Sequence, residues 1–292
     1  MSAISSNNTF SHRTNPGRAY FCIYGTVCLL CCVILSLLAG CAPQKPVQRP
    51  HQDTLWTLFL QKQTALPKIR GFAIRASINY TSARQRHRVI MRLYGDLDYP
   101  IRMDLEAGIG RTISVWREDA SSWQAYLPEE NRLYLARDGK TGARSLGFPS
   151  PFDLKELAQV LQGNIASVLP PDPVAGTPKN DKHYLFFPAR SRISKVLLDA
   201  QARVIEIYGK KGWTVSFDYQ ESSPYSKKII MTMEDDTRAT LRIKSITSST
   251  FATDLAISLE DNTEIIRLDE RIPKASTRGK KAGTYSGAHT LK

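Results

Sequence analysis

Between residues 69 and 259, apolar and polar positions alternate in segment after segment, with one long interruption of helical period. Over 69–80, Phe72, Ile74, Ala76, Ile78 and Tyr80 share one side, while Gly71, Ala73, Arg75, Ser77 and Asn79 share the other. Period two over that length predicts a strand with one wet face. Val89, Met91 and Leu93 against Arg88 and Arg92 predict a second strand, and Ile101, Met103 and Leu105 against Arg102, Asp104 and Glu106 a third. Ile113 with Val115, then Trp123, Ala125 and Leu127, then Leu133 and Leu135 continue the series. The links are short and polar, such as Gly95-Asp96 and residues 128–131, which suits antiparallel neighbours. Further strands are predicted over 184–187, 194–199, 204–208, 213–219, 228–233, 239–246 and 251–259. In the fourth of these, Trp213, Val215, Phe217 and Tyr219 alternate with polar residues.

Helical spacing occurs twice. Asp53 or Thr54 can cap a segment in which Leu55, Leu58, Phe59 and Lys62 follow. In the middle, Ser150 reads as a cap, Pro151 as first-turn proline and Asp153 as an early acid. Leu154, Leu157 and Leu161 then form one stripe with Val160 beside it, and Gly163 is placed to stop the helix. Residues 170–181, rich in Pro, Gly and Asn, read as a loop. The expectation is a mainly β (α+β) domain of about a dozen strands. A curved antiparallel sheet forms an incomplete barrel, and two or three helices cover its apolar face, because a sheet with one greasy side must bury it.

The N-terminus has a different character. Residues 1–18 carry Arg13 and Arg18 and no acid, and 20–38 carry no charge at all. That order is a signal peptide's, although a stretch this long could also nearly span a bilayer as an anchor. The uncharged run closes as Leu38-Ala39-Gly40-Cys41 and turns Pro-rich at once (Pro43, Pro46, Pro50). This resembles the lipobox of bacterial lipoproteins. The resemblance implies removal of 1–40, acylation of Cys41, and anchoring in a membrane through several chains. Ala42 stands where the family's inner-membrane retention signal would place Asp, which favours the outer membrane. The expected organisation is a signal peptide over 1–40, a lipidated tether over 41–52, a folded domain over 53–268, and a basic tail over 269–292, read as disordered.

All five cysteines lie within the first 41 residues, so the folded domain has no thiol chemistry and no disulfide. The net charge of +13 raises nucleic-acid binding, but a membrane-tethered, exported domain meets anionic lipid instead; no nucleic-acid partner is expected. His87 and His183 lack metal-ligand spacing, and no nucleophile elbow or phosphate-binding glycine loop occurs. Asp235-Asp236 and Glu129-Glu130 read as solvated turn pairs. No catalysis, metal or cofactor is expected.

A run of features resembles the LolA/LolB family of periplasmic lipoprotein carriers and outer-membrane lipoprotein receptors. An N-terminal helix leads into Ile69-Arg70-Gly71-Phe72-Ala73. A strand ends in Glu106-Ala107-Gly108-Ile109-Gly110. The mid-domain helix closes on Leu161-Gln162-Gly163. Residues 212–219 precede Ser223-Pro224-Tyr225 and another strand. The likeness spans roughly 53–260, and Cys41 favours the receptor branch. It implies an apolar cavity for acyl chains, lined by Phe72, Ile74, Met91, Leu93, Met103, Leu105, Val115, Trp123, Trp213 and Phe217. It further implies that Ile109 is an exposed membrane-insertion residue, against the alternative that it folds inward on a tight hairpin. The implied protein is a monomeric receptor on the periplasmic side of a Gram-negative outer membrane. Its partners would be acylated lipoprotein cargo or lipid and a LolA-like carrier. The alternative is a structural or regulatory envelope lipoprotein that uses the same fold to bind a protein.

Overall fold

In the computed structural model the described residues are 52–67, 69–108, 110–171, 173–180, 183–220, 223–250 and 255–269. The chain divides into two compact units, 1–49 and 50–292, and every described residue lies in the second. Cys41, Ile109 and the tail beyond 269 fall outside the described residues.

Helix α1 (Gln52–Thr64) precedes six strands: β1 (Gly71–Thr81), β2 (Arg86–Asp96), β3 (Ile101–Glu106), β4 (Thr112–Glu118), β5 (Trp123–Leu127) and β6 (Arg132–Ala136). Two helices follow, α2 (Gly139–Ser145) and α3 (Leu154–Leu161). Then come β7 (Pro173–Pro178), β8 (His183–Pro188), β9 (Ile193–Asp199), β10 (Val204–Gly209), β11 (Thr214–Tyr219), β12 (Ser226–Thr232), β13 (Arg238–Ser248) and β14 (Glu264–Arg267). All fourteen strands form one sheet in the order β14-β6-β5-β4-β3-β2-β1-β13-β12-β11-β10-β9-β8-β7. Its two end strands do not pair with each other, so the barrel is incomplete. Every pairing is antiparallel except β14 with β6. Register shifts leave one extra residue in β13 opposite β1, in β4 opposite β3 and in β12 opposite β11, and such bulges bend the strands that carry them.

The core is that enclosed face plus the helices laid on it. Leu55, Trp56 and Phe59 of α1 are buried, with the Trp56 ring 5.0 Å from that of Phe186 on β8. Leu154, Leu157, Ala158, Val160 and Leu161 bury the stripe of α3. Phe72, Ile74, Met91, Leu93 and Met103 are at most 2% exposed beneath them.

Several expectations are corrected. Helix α3 begins at Leu154, and its cap is Asp153, whose carboxylate accepts the Glu156 N–H. Ser150 instead braces the preceding turn, accepting the Phe152 N–H. Gly163 does end the helix, at φ +81°. The stretch read as a loop over 170–181 contains β7, an edge strand, where proline's missing N–H faces no partner strand. Residues 255–259, read as part of a strand over 251–259, are irregular. They form part of a strap: the Arg102 guanidinium donates to the Ala256 carbonyl, and Asn131 to that of Asp261.

Val115 is the correction that bears on the site. It pairs with Asp104, on the outer face, while Trp116 pairs with the inward Met103. A bulge at Ile113 of β4, opposite the step from Leu105 to Glu106, shifts the register, so Ser114, Trp116 and Glu118 point inward and Val115 does not. Val115 is buried all the same, on the outer face beside Tyr126.

Candidate functional site

The helices leave one end of the enclosed face uncovered. There the ends of β1 to β6, the last residue of α2 and the segment 146–149 after it bound a groove of about 840 Å³. That is within the range of small-molecule and lipid sites. Its apolar walls include Ile78, Leu105, Ile113, Trp116, Leu127 and Phe148. Trp116 stands edge-on to Trp123 and to Phe148, with ring centroids 5.1 Å apart in both cases, which fixes the inner wall. Ile113, at 36% exposed, lies on the rim. A neighbouring cleft of about 190 Å³ shares Tyr80, Gly147, Phe148 and Pro149 with the groove and includes Trp213.

The ten residues implied as cavity lining are all buried, but they are not brought together around this space. Leu105 lines the groove and Trp213 the adjoining cleft. Phe72, Met91, Met103, Trp123 and Phe217 are packed core, and Ile74 and Leu93 join them there, reaching only a shallow depression on the outer side. Val115 faces away. The physical reason is that α1 and α3 already occupy most of the face those residues line. Sequence reasoning missed Trp116, Phe148, Tyr134 and Leu146. For Trp116 a signal existed: a second large aromatic seven residues before Trp123.

The turn 107–111 stands at the groove mouth. Ala107 lines the groove, and its carbonyl accepts the Gly110 N–H at 3.0 Å. A Cβ on Gly108 or Gly110 would meet nothing within 4 Å, so both glycines border open space. Ile109, the expected insertion residue, lies outside the described residues.

The acids near the mouth are engaged. Glu129 pairs with Arg111, Glu106 with Arg92, and Glu130 with Arg132 at 3.1 Å. Glu129-Glu130, read as a solvated turn pair, is a turn whose two carboxylates are both ion-paired. His87 stacks on Tyr80, and six strands separate its strand from that of His183 in the sheet.

A buried acid lies behind the start of α3, away from the groove. Glu118, 5% exposed, accepts the Leu154 N–H at 3.0 Å and the Tyr99 hydroxyl at 3.3 Å. Burial, then the nearby Asp153 carboxylate, push its pKa up to about 7, against the lowering effect of the backbone donors at Leu154 and Lys155. Burial and the charge of Glu118 likewise raise the Tyr99 hydroxyl well above its ordinary value. This carboxylate ties β4 to the N-terminus of α3. It does not line the groove, so its role is to seat the helix.

No family model matches the chain, and no curated protein does. Among solved structures it is similar to a LolA superfamily protein from Nitrosomonas europaea, at 12% identity and TM-score 0.44, over 67% of this chain and 94% of that one. A domain described as outer membrane lipoprotein-sorting, from Vibrio parahaemolyticus, matches at 14% identity and TM-score 0.42, over 73% and 96%. A DUF1329 family protein from Desulfovibrio piger matches at 9% identity and TM-score 0.44, over 71% and 95%. At these scores none of them bears on what the groove holds.

Proposed function

We propose that this protein is an outer-membrane lipoprotein, anchored through Cys41, that takes the acyl chains of lipoproteins or other lipids into the groove beside Trp116. It helps place them in the outer membrane and performs no covalent chemistry. The observation that carries this reading is the groove itself: an apolar space of about 840 Å³, open at the end where the helices stop. Each chain methylene transferred from water to such walls contributes about 0.8 kcal/mol, so a long chain needs no further recognition to bind. The sequence's likeness to lipoprotein receptors supports the choice of cargo, and an acidic carrier would be steered by the basic surface.

Native mass spectrometry of the purified protein tests the chain-binding claim. Acyl-containing adducts that disappear on Ile113→Arg are the expected result; a protein that never carries them refutes it. Depletion from cells tests the transport claim: other lipoproteins should then accumulate in the inner membrane.

A further inference from the structure

The groove is not apolar on every side. Arg86 and Arg88 line its mouth, although their register, opposite Thr81 and Asn79, places them on the outer face of β2. The topology explains this. β3 stops at Glu106, opposite Ile90, so over residues 86–89 β2 is paired with β1 alone and its other edge is free of a strand. The two arginines therefore border the opening. Arg84 lies in the hairpin just beyond, and Arg238 sits across β1 from Arg86, both paired in register with Thr81. All four are exposed.

Their electrostatic state differs from that of the acids nearby. Glu106, Glu129 and Glu130 are each taken by another arginine. Arg84, Arg86, Arg88 and Arg238 have no carboxylate partner among the described residues. Arg86 and Arg88, two like charges at the lip of an apolar groove with no carboxylate partner among the described residues, complement one kind of molecule: an apolar chain ending in an anion. Guanidinium groups bind phosphate oxygens through paired, charge-assisted hydrogen bonds. Two arginines two residues apart on one strand face, about 7 Å between their backbones, can flank a single phosphate.

We infer that the groove selects anionic glycerophospholipid, with an acyl chain against Trp116 and Ile113 and the headgroup phosphate held by Arg86 and Arg88. This rests on the chain-binding reading above and adds a headgroup preference to it.

The test uses tryptophan fluorescence of the full chain in detergent micelles doped with lipids brominated on the acyl chain. Bromine quenches Trp116 on contact, and Trp116→Phe identifies that contribution. Three probes are compared: phosphatidylglycerol, phosphatidylcholine and diacylglycerol. Phosphatidylglycerol should reach half-quenching at about fivefold lower mole fraction than the other two, the scale of exposed ion pairs. The double variant Arg86→Ala/Arg88→Ala should abolish the advantage of phosphatidylglycerol and leave diacylglycerol, which carries no phosphate, unchanged; both positions are exposed, so folding is preserved. Inorganic phosphate should not displace the lipid, since it lacks the chain. Equal quenching by all three probes overturns the headgroup preference while leaving chain binding intact. Displacement by phosphate alone overturns it too, in favour of a free-anion site. Quenching by none of them removes the chain-binding reading and this inference with it.

Discussion

Replacing Glu118 with Gln tests the strut between β4 and α3. The carboxylate is 5% exposed and its pKa rises from the ordinary 4.5 to about 7, chiefly through burial. Between those two values the unfolded chain has released a proton that the folded protein still holds. Stability from this group is therefore fully present below about pH 4.5 and falls as pH climbs, until the folded protein also ionises near pH 7. At 1.36 kcal/mol per tenfold change in proton affinity, the loss amounts to about 3 kcal/mol. For a domain of this size that corresponds to roughly 6–12 °C in melting temperature. Glu118→Gln removes the titration but keeps an oxygen to accept the Leu154 N–H. The groups facing Glu118 are the Tyr99 hydroxyl, the Asp153 carboxylate and the Leu154 and Lys155 amides, and all remain in the variant. Thermal melts of both proteins from pH 5 to pH 8 supply the difference, in which every other titrating group cancels. The variant should gain about 3 kcal/mol on the wild type across that range. A difference that stays constant with pH would mean that Glu118 is charged throughout, and the burial argument would be wrong.

Ile113→Arg, at a rim position that is 36% exposed, should leave the melting temperature unchanged and weaken binding of a fluorescent fatty acid about tenfold or more, by placing a charge where a chain lies. Phe72→Ala should do the reverse. Phe72 is fully buried core, so the change costs about 3–5 kcal/mol in denaturant titrations and leaves chain affinity of the folded protein unaltered. Gly142→Ala puts a Cβ 2.3 Å from the Trp123 ring; despite alanine's better helix propensity, chemical denaturation should show a loss of about 1–3 kcal/mol. Cys41→Ser should abolish incorporation of radiolabelled palmitate. Labelling that persists would show that another residue carries the lipid.

The strands on the enclosed face of β1, β2 and β3 were readable because Phe72, Ile74, Met91, Leu93, Met103 and Leu105 alternate without a break. The stripe on α3 was readable for the same reason. Helix α2 was not, since its buried residues are Gly139, Gly142 and Ala143. Small side chains give no apolar period; they are there so that Trp123 can lie against the helix, a contact visible only in three dimensions. β7 was hidden by its prolines, which an edge strand tolerates. The direction of Val115 was lost to one bulge, because a single extra residue reverses every later side chain in the strand.

The candidate site shows the division most plainly. Alternation says which residues turn away from water, but not what meets them on the far side. Sequence alone established a one-sided antiparallel sheet, its covering helices and a cysteine-free folded domain. Where that cover ends, and therefore that Trp116 and Ile113 face open space while Phe72 and Met103 face helices, was decided by tertiary packing. Whether a buried face becomes core or groove depends on the volume of what lies opposite, and that volume comes from segments remote in the chain.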